Sequence, residues 1–241
     1  MSLIISVRNL STRFGQQVVH AGLNLDIFAN EILSIVGGSG SGKSVLFRYL
    51  VGIDFPQEGV ITYYNNALPG ILFQNGGLIS SLSVLENVLL PLTEGKQHWS
   101  YNRAAKKAAE SLALVGLSKT DHHKFPSQLS GGMIKRVGIA RAITTDPKIL
   151  FLDEPTSGLD PVAAEDFDNL ILDLRKKLNL TCVMITHDLD SIFTLSNRVG
   201  VLVDKKMITG TLEEIVKNPH PWIQEYFSGK RALPLRKWKG I

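Results

Sequence analysis

The fold of this chain is decided by the stretch Gly37-Gly38-Ser39-Gly40-Ser41-Gly42-Lys43-Ser44. Its spacing of glycine, four residues, glycine, lysine and serine is typical of a phosphate-binding loop. The apolar run at residues 32–36 predicts a strand just before the stretch, and residues 45–50 predict a helix just after it. A glycine-rich turn with a chance lysine is the alternative, but the strand-to-helix context favours the phosphate-binding loop.

Each residue type in this loop suits a nucleotide phosphate. Glycines let the backbone bend tightly and turn successive N–H groups inward, and the helix that starts near Lys43 directs its positive end to the same point. We therefore expect all eight residues of the stretch to bind a nucleoside triphosphate. Lys43 would contact its β and γ phosphates, and the Ser44 hydroxyl would be a ligand of Mg²⁺.

Two adjacent carboxylates follow a second apolar run. Residues 149–152 predict a buried strand, and Asp153 and Glu154 lie at its end. Because side chains alternate along extended backbone, Asp153 is expected to face the metal through water, while Glu154 reaches the attacking water as a general base. An isolated Asp-Glu pair is usually only solvated. Its place after four apolar residues, in a chain with a phosphate-binding loop, favours hydrolysis of the nucleotide instead.

A third apolar run, at residues 183–185, ends in Thr186-His187-Asp188. Three apolar strands that each deliver polar residues at their carboxyl ends predict a parallel sheet with its site along one edge. The start of the chain differs, because residues 3–7, 18–19 and 23–27 alternate like antiparallel strands. The expected fold class is therefore α/β, with a parallel-sheet core and an N-terminal antiparallel β-subdomain.

Helical spacing dominates the middle of the chain. Residues 101–115 and 133–143 repeat alanines and basic residues at helical intervals, with few β-branched runs. We expect an α-helical subdomain over about residues 78–140, within one domain that spans residues 1–241. Further on, residues 199–208 predict a hairpin and residues 212–217 a short helix.

A second anion-binding feature lies at Ser130-Gly131-Gly132, at the start of a predicted helix. This sequence offers backbone N–H groups, a hydroxyl and the positive end of the helix dipole. One γ-phosphate does not need two such sites from a single subunit. We therefore expect a head-to-tail homodimer, in which each nucleotide lies between the phosphate-binding loop of one chain and this segment of the other.

Composition and charge exclude other classes of protein. The 241 residues are 44% hydrophobic and 20% charged, which rules out a disordered chain. The net charge is +4, but the tail at residues 228–241 contains five basic residues and no acid. The remaining 21 basic and 22 acidic residues give a net charge of −1. No nucleic-acid partner is therefore expected.

The number of cysteines and the length of the apolar runs indicate the cellular compartment. The one cysteine, Cys182, lies in an apolar run, so we expect a buried thiol and a reducing compartment. No apolar run approaches the roughly 18 residues that a spanning helix needs. The first residues lack the basic start of a signal peptide. We expect neither membrane crossing nor export.

In this order along the chain, the features resemble those of the ABC transporter ATPase family over nearly the whole sequence. The resemblance implies ATP as the nucleotide and a RecA-like core. Gln74 matches the Q-loop glutamine, which in the family contacts Mg²⁺ and relays nucleotide state to a membrane partner. Asp160 matches the D-loop, His187 the switch histidine at the γ-phosphate, and Phe14 the aromatic ring against adenine. The alternatives are an amide in a turn for Gln74, a buried strand-end histidine for His187 and a core phenylalanine for Phe14.

The subgroup is indicated by Met133, which stands where most of the family has glutamine. Together with residues 73–91 and 129–142, it makes the chain most similar to the ATPases of Mla/Mce-type phospholipid transport systems of Gram-negative bacteria. That likeness implies phospholipid transport between the inner and outer membranes, which maintains outer-membrane lipid asymmetry. It also implies a place at the cytoplasmic face of the inner membrane, on permease subunits. A periplasmic Mce-domain lipid-binding protein and a small STAS-domain protein are the further implied partners.

Two surfaces are candidates for partner contacts. A permease helix is expected to dock in the groove between Gln74 and the helical subdomain, notably at residues 78–86, although the Leu and Ile residues there could equally be subdomain core. The basic tail at residues 228–241 is a frayed end, which is usual for a terminus, or it binds a partner. The partner would be the second ATPase subunit or an acidic surface. The position of Trp238 among basic residues favours binding to a partner.

Three other functions stay open. Another ABC importer or exporter ATPase would share every catalytic residue, so only the segments around Gln74 and Met133 argue against it. A soluble ABC protein of translation, DNA repair or iron–sulfur assembly is a different class, and the two cassettes or long coiled coil typical of the first two are not seen in this sequence. A P-loop kinase or GTPase is disfavoured because it has no use for Ser130-Gly131-Gly132 at a helix start.

Overall fold

The computed structural model describes residues 2–64, 69–95, 98–229 and 232–240. The chain forms two compact units. Unit 1 comprises Met1–Ala67 and Thr181–Ile241, and unit 2 comprises Leu68–Leu180.

Unit 1 contains an antiparallel sheet in which β1 lies between β2 and β4. Its strands are β1 (Leu3–Phe14), β2 (Gln17–Phe28) and β4 (Glu58–Tyr63). Val7 pairs with Leu25 of β2 and with Ile61 of β4. The predicted antiparallel strands are confirmed, although β1 and β2 are longer than the alternation suggested. The pattern breaks at a bulge, where Asn9 has a φ of 51° and donates its N–H to Asn24 Oδ1 at 3.0 Å.

Unit 1 also contains the central parallel strands. β3 (Ile32–Val36) pairs in parallel with β7 (Thr181–Ile185) and β8 (Arg198–Val203), and β9 (Lys206–Gly210) pairs antiparallel with β8. Every residue of β3 and β7 is buried, which explains why their sequences are apolar except at Ser34 and Thr181. Cys182, in β7, has no exposed surface. The helices of this unit are α1 (Lys43–Leu50), α6 (Leu189–Leu195), α7 (Leu212–Lys217), α8 (Pro221–Ser228) and α9 (Ala232–Lys239).

Unit 2 combines a parallel strand pair with most of the long helices. β5 (Pro69–Leu72) pairs in parallel with β6 (Ile149–Asp153). The helices are α2 (Val84–Thr93), α3 (Tyr101–Leu114), α4 (Gly131–Ile143) and α5 (Pro161–Leu178), with 3-10 helices at Lys119–Asp121 and Pro126–Gln128. The residues predicted to form a helical subdomain, 78–140, fall within this unit.

The start of α2 is fixed by polar side chains. Ser83 Oγ accepts the N–H of Glu86, and the Glu86 carboxylate accepts the N–H of Ser83, which together form a capping box. The buried Asn87 side chain accepts the N–H of Ile79 at 2.7 Å and donates to the carbonyls of Ile79 and Leu82, both at 3.0 Å. These bonds hold the segment before α2 against the helix.

The predicted α/β class, with antiparallel and parallel strands and a helical region, is confirmed. Several elements lie outside the sequence predictions, among them β4, α5, α6 and α8. No helix in the described part of the chain combines the length and the apolar character needed to span a membrane. In the tail, the backbone of Ala232–Lys239 is helical, whereas Lys230, Arg231 and the side chain of Trp238 lie outside the described residues.

Candidate functional site

The phosphate-binding loop of unit 1 joins β3 to α1 through two tightly packed glycines. Gly42, just before α1, has a φ of 104°, a conformation that L side chains rarely adopt. A Cβ at Gly42 would lie 2.5 Å from Val19 Cγ1, and one at Gly37 would lie 2.7 Å from the Leu202 carbonyl oxygen. The backbone can follow this path only with glycine at both positions.

The polar groups of the loop fit a bound phosphate. Lys43 Nζ donates to the carbonyls of Gly37 at 2.8 Å and Gly38 at 3.0 Å, so its ammonium group lies across the loop. Ser41 Oγ is buried and has no hydrogen-bond partner among the described residues. Helix α1 has no side-chain cap and no acidic residue in its first turn. A phosphate would satisfy the Ser41 hydroxyl and the first N–H groups of α1. Ser44, in the same turn, is exposed.

A histidine that the sequence analysis did not identify lies under this loop. His20, in β2, has no exposed surface, and its Nδ1 lies 3.1 Å from Thr12 Oγ1. Its Nε2 would lie 2.7 Å from a Cβ at Gly42, so the ring packs directly against the loop. Burial lowers the pKa of His20, which favours a neutral ring. Nothing in the local sequence distinguishes this histidine from any other strand residue.

His187 follows β7 and is exposed rather than buried at the strand end. Its carbonyl oxygen accepts a hydrogen bond from the Tyr226 hydroxyl at 3.0 Å. Tyr226 stacks on Trp222, with ring centroids 4.8 Å apart, and Trp222 Nε1 would lie 3.4 Å from a Cβ at Gly38. Helix α8 therefore lies close to both the phosphate-binding loop and the His187 segment.

Phe14 ends β1 and is 57% exposed. A phenylalanine so exposed does not contribute to the core. The ring is therefore accessible to a planar ligand, such as a nucleotide base.

In unit 2, Asp153 and Glu154 lie at the end of β6, as predicted. Burial, and then the charge of Glu154, raise the pKa of Asp153, while the charge of Lys135 opposes both effects. A cation bound beside Asp153 would offset burial and repulsion, so the carboxylate fits Mg²⁺. The described residues contain no cluster of three His, Cys, Asp or Glu side chains suited to a metal. Mg²⁺ commonly binds one or two carboxylates together with phosphate and water ligands, so a smaller set suffices.

Gln74 is exposed just after β5, and its backbone is held by a residue that the sequence analysis missed. Lys135 Nζ donates to the Gln74 carbonyl oxygen and, at 3.2 Å, to that of Glu154. The structure thus links the predicted Q-loop glutamine to the predicted general base through one side chain of α4.

The Ser130-Gly131-Gly132 segment forms the start of α4. Ser130 is the N-cap, and its hydroxyl oxygen accepts the N–H of Met133 at 3.3 Å. A Cβ at Gly132 would meet no atom within 4 Å, so the first turn of α4 is open to an approaching group. Asp160 is likewise exposed but serves as the N-cap of α5, accepting the N–H groups of Val162 at 3.1 Å and Ala163 at 3.0 Å.

The chain is similar in sequence to several known proteins. A family model described as ABC transporter matches residues 20–157. The probable ribonucleotide transport ATP-binding protein mkl of Mycobacterium leprae is 34% identical over 250 residues, which cover 98% of this chain and 72% of that protein. The intermembrane phospholipid transport system ATP-binding protein MlaF of Haemophilus influenzae is 31% identical over 248 residues, which cover 97% of this chain and 93% of that protein.

Among solved structures, a dimeric post-hydrolysis state of the ATP-binding cassette MJ0796, bound to ADP and Pi, is similar to this chain. The TM-score is 0.75 at 30% sequence identity, and the match covers 87% of this chain and 99% of the other. The similarity therefore extends over most of the molecule and includes the parallel-sheet core, the antiparallel strands and the helical region.

Proposed function

The chain belongs to the ABC transporter family and is an ATPase that uses ATP and Mg²⁺, and we propose that its ATP hydrolysis powers phospholipid transport between two membranes. The transport would maintain the lipid asymmetry of the outer membrane of a Gram-negative bacterium. The observation that carries the lipid assignment is the match to MlaF, a phospholipid transport protein, over 93% of its length. Met133, in place of the glutamine common in the family, supports the same subgroup.

Unit 1 would supply the phosphate contacts. Its loop, Gly37 to Ser44, would offer backbone N–H groups and the Ser41 hydroxyl, which has no hydrogen-bond partner in the described part of the chain, and Lys43 would hold the β and γ phosphates. We assign Ser44 to the metal, His187 to the γ-phosphate and Phe14 to the adenine ring. Bound Mg²⁺ would neutralise charge on the phosphates.

Unit 2 would supply the groups that act on water. Glu154 would take the proton of the attacking water, and Asp153 and Gln74 would be ligands of Mg²⁺. Ser130, Gly131 and Gly132 would bind the nucleotide held by a second copy of the chain. Asp160 would lie at the same interface between the two copies. The open first turn of α4 supports this assignment, because a phosphate needs unobstructed access to backbone N–H groups.

Cassettes of this family dimerise and work with membrane permease subunits. For this chain we propose a homodimer on a pair of inner-membrane permeases, at their cytoplasmic face. A periplasmic Mce-domain lipid-binding protein and a small STAS-domain protein complete the proposed assembly. No part of the proposal requires a nucleic acid.

Purification of the tagged chain from its native membrane tests the lipid assignment. We expect permease, Mce-domain and STAS-domain proteins to co-purify with bound phospholipid. The match to a probable ribonucleotide transport protein supplies the competing function. A complex that lacks an Mce-domain protein, and whose ATP hydrolysis responds to ribonucleotides rather than to phospholipid vesicles, would replace the lipid assignment with that one.

A groove in unit 2 is the proposed docking site for the permease. It has a volume of about 540 Å³ and is lined mainly by apolar groups, among them Phe73, Ile79, Pro91 and Ala142. Phe73 is 38% exposed and Ile79 is 41% exposed, so both present apolar surface to a partner. Of the segment predicted from the sequence, residues 78–86, only Ile79 lines the groove. An amphipathic helix would place its apolar face here.

We expect Ile79→Asp to reduce recovery of the permease complex by about tenfold, because a buried, unpaired carboxylate at an interface is costly. Pull-down of the permease by the tagged chain measures the effect. Leu114→Asp is the matched control, since Leu114 is 39% exposed in α3 and does not line the groove. If both variants recover the permease as well as the parent does, the groove is not the docking site.

A further inference from the structure

A buried lysine bridges two loops of unit 2. Lys135, on α4, is 5% exposed. Its Nζ donates to the backbone carbonyls of Gln74 and Glu154, the second at 3.2 Å. Lysine is rarely buried unless it is paired, because an ammonium group loses its hydration on burial. Two carbonyl acceptors replace part of that hydration, so the side chain is committed to this position.

Negative charges near Lys135 partly offset the effect of burial on its pKa. Burial lowers the pKa of Lys135 more than the negative charges of Asp153 and Glu154 raise it, so the pKa is lowered on balance. Lys135 in turn acts against the raised pKa of Asp153. The lysine therefore lies close to the two carboxylates at the end of β6.

The backbone that Lys135 holds at Glu154 is strained. Glu154 has a φ of 46°, in the left-handed region that side-chain-bearing residues avoid. Its carbonyl oxygen also accepts the N–H of Ser157 at 3.2 Å. Strained backbone persists only where the surroundings hold it, and these two hydrogen bonds are part of that restraint.

The same helix holds the rest of the Q-loop segment, residues 74–77. Arg141 donates to the carbonyls of Gly76 at 3.0 Å and Gly77 at 2.6 Å. Gly138, between the two cations, allows close approach, because a Cβ there would lie 3.0 Å from the Gly76 carbonyl oxygen. Helix α4 thus contacts this segment through Lys135, Gly138 and Arg141.

We propose that Lys135 is a positioning residue for ATP hydrolysis. It holds the backbones of Gln74 and Glu154 in one fixed relation, so that the Glu154 carboxylate is aimed at the attacking water. The inference rests on the proposed role of Glu154 as the general base. It does not depend on which substrate the transporter carries.

Steady-state ATP hydrolysis by the full chain tests this proposal. Lys135→Met keeps the length of the side chain and removes all its N–H donors. We expect kcat to fall by about 10- to 100-fold, the loss that follows removal of charge-assisted hydrogen bonds from a catalytic arrangement, with KM for ATP unchanged. Lys135→Gln retains two N–H donors and should recover most of kcat. Lys176→Met, at an exposed position of α5, is the charge-matched control and should behave as the parent.

Hydrogen–deuterium exchange of the nucleotide-free chain supplies a second readout. We expect faster exchange in residues 73–79 and 153–157 of Lys135→Met, with no change in residues 37–44. A folded Lys135→Met variant with parental kcat would overturn the proposal, and so would one with reduced kcat but parental exchange in both segments. If that variant does not fold, Lys135→Gln decides: parental kcat supports the role of the donated hydrogen bonds, and a tenfold loss in a stably folded protein contradicts it.

Glu154→Gln, measured in parallel, separates this inference from the function on which it rests. If Glu154→Gln hydrolyses ATP at the parental rate, Glu154 is not the base and the proposed chemistry fails. If Glu154→Gln is inactive while Lys135→Met retains parental kcat, the chemistry stands and the positioning role alone is wrong.

Discussion

Glu154→Gln should lower ATP hydrolysis by about 10²- to 10⁴-fold, the contribution that a positioned general base commonly makes. Glutamine has nearly the shape of glutamate, but its amide does not take a proton from water at neutral pH. The substitution preserves the strained backbone at φ 46° and the bond from Lys135 to the carbonyl, both of which belong to the main chain. The defect should therefore lie in the chemical step and not in the fold.

The same variant should accumulate as an ATP-bound dimer, since the nucleotide is bound but not consumed. Phosphate release measures the rate, and size-exclusion chromatography with and without ATP and Mg²⁺ measures the dimer. Glu165→Gln is the matched control, because Glu165 is exposed on α5. Hydrolysis within twofold of the parent would remove Glu154 from its proposed role.

Lys43→Ala should abolish measurable ATP turnover, with a loss of at least about 100-fold, because clamps on phosphoryl groups contribute on that scale. The ammonium group lies over the loop, 2.8 Å from the Gly37 carbonyl and 3.0 Å from that of Gly38. Its removal takes away the positive charge that faces the phosphates and two restraints on the loop itself. Weaker nucleotide binding should accompany the loss of turnover.

Titration with a fluorescent ATP analogue and phosphate release together measure the effect of Lys43→Ala. Thermal unfolding of the nucleotide-free protein shows whether the loop alone is loosened. Lys206→Ala, an exposed position in β9, is the control within the same unit. Parental affinity and turnover in Lys43→Ala would show that the phosphates bind elsewhere.

The sequence was most informative where function and fold depend on a short, continuous stretch. The phosphate-binding loop requires glycine at positions 37 and 42 for steric reasons, so its spacing is visible without a structure. β3 and β7 are buried throughout and therefore appear as apolar runs. Ser130 is recognisable because a helix N-cap prefers serine.

Contacts between residues distant in the sequence could not be predicted in this way. Lys135 lies 61 residues from Gln74, and its place in a helix gives no sign that it is buried. His20 packs under Gly42 from a neighbouring strand, and Tyr226 reaches His187 from a helix near the end of the chain. The docking groove combines residues from 69 to 145, so the segment 78–86 identified only one of its lining residues.

The burial of Cys182 has a practical consequence for site-directed labelling. The chain contains one cysteine, and its thiol has no exposed surface within β7. A cysteine introduced at an exposed position, such as Ser130 or Phe14, would then be the sole accessible thiol for a maleimide or a spin label. Distances between two copies of the chain can therefore be measured with such labels without first replacing the native cysteine.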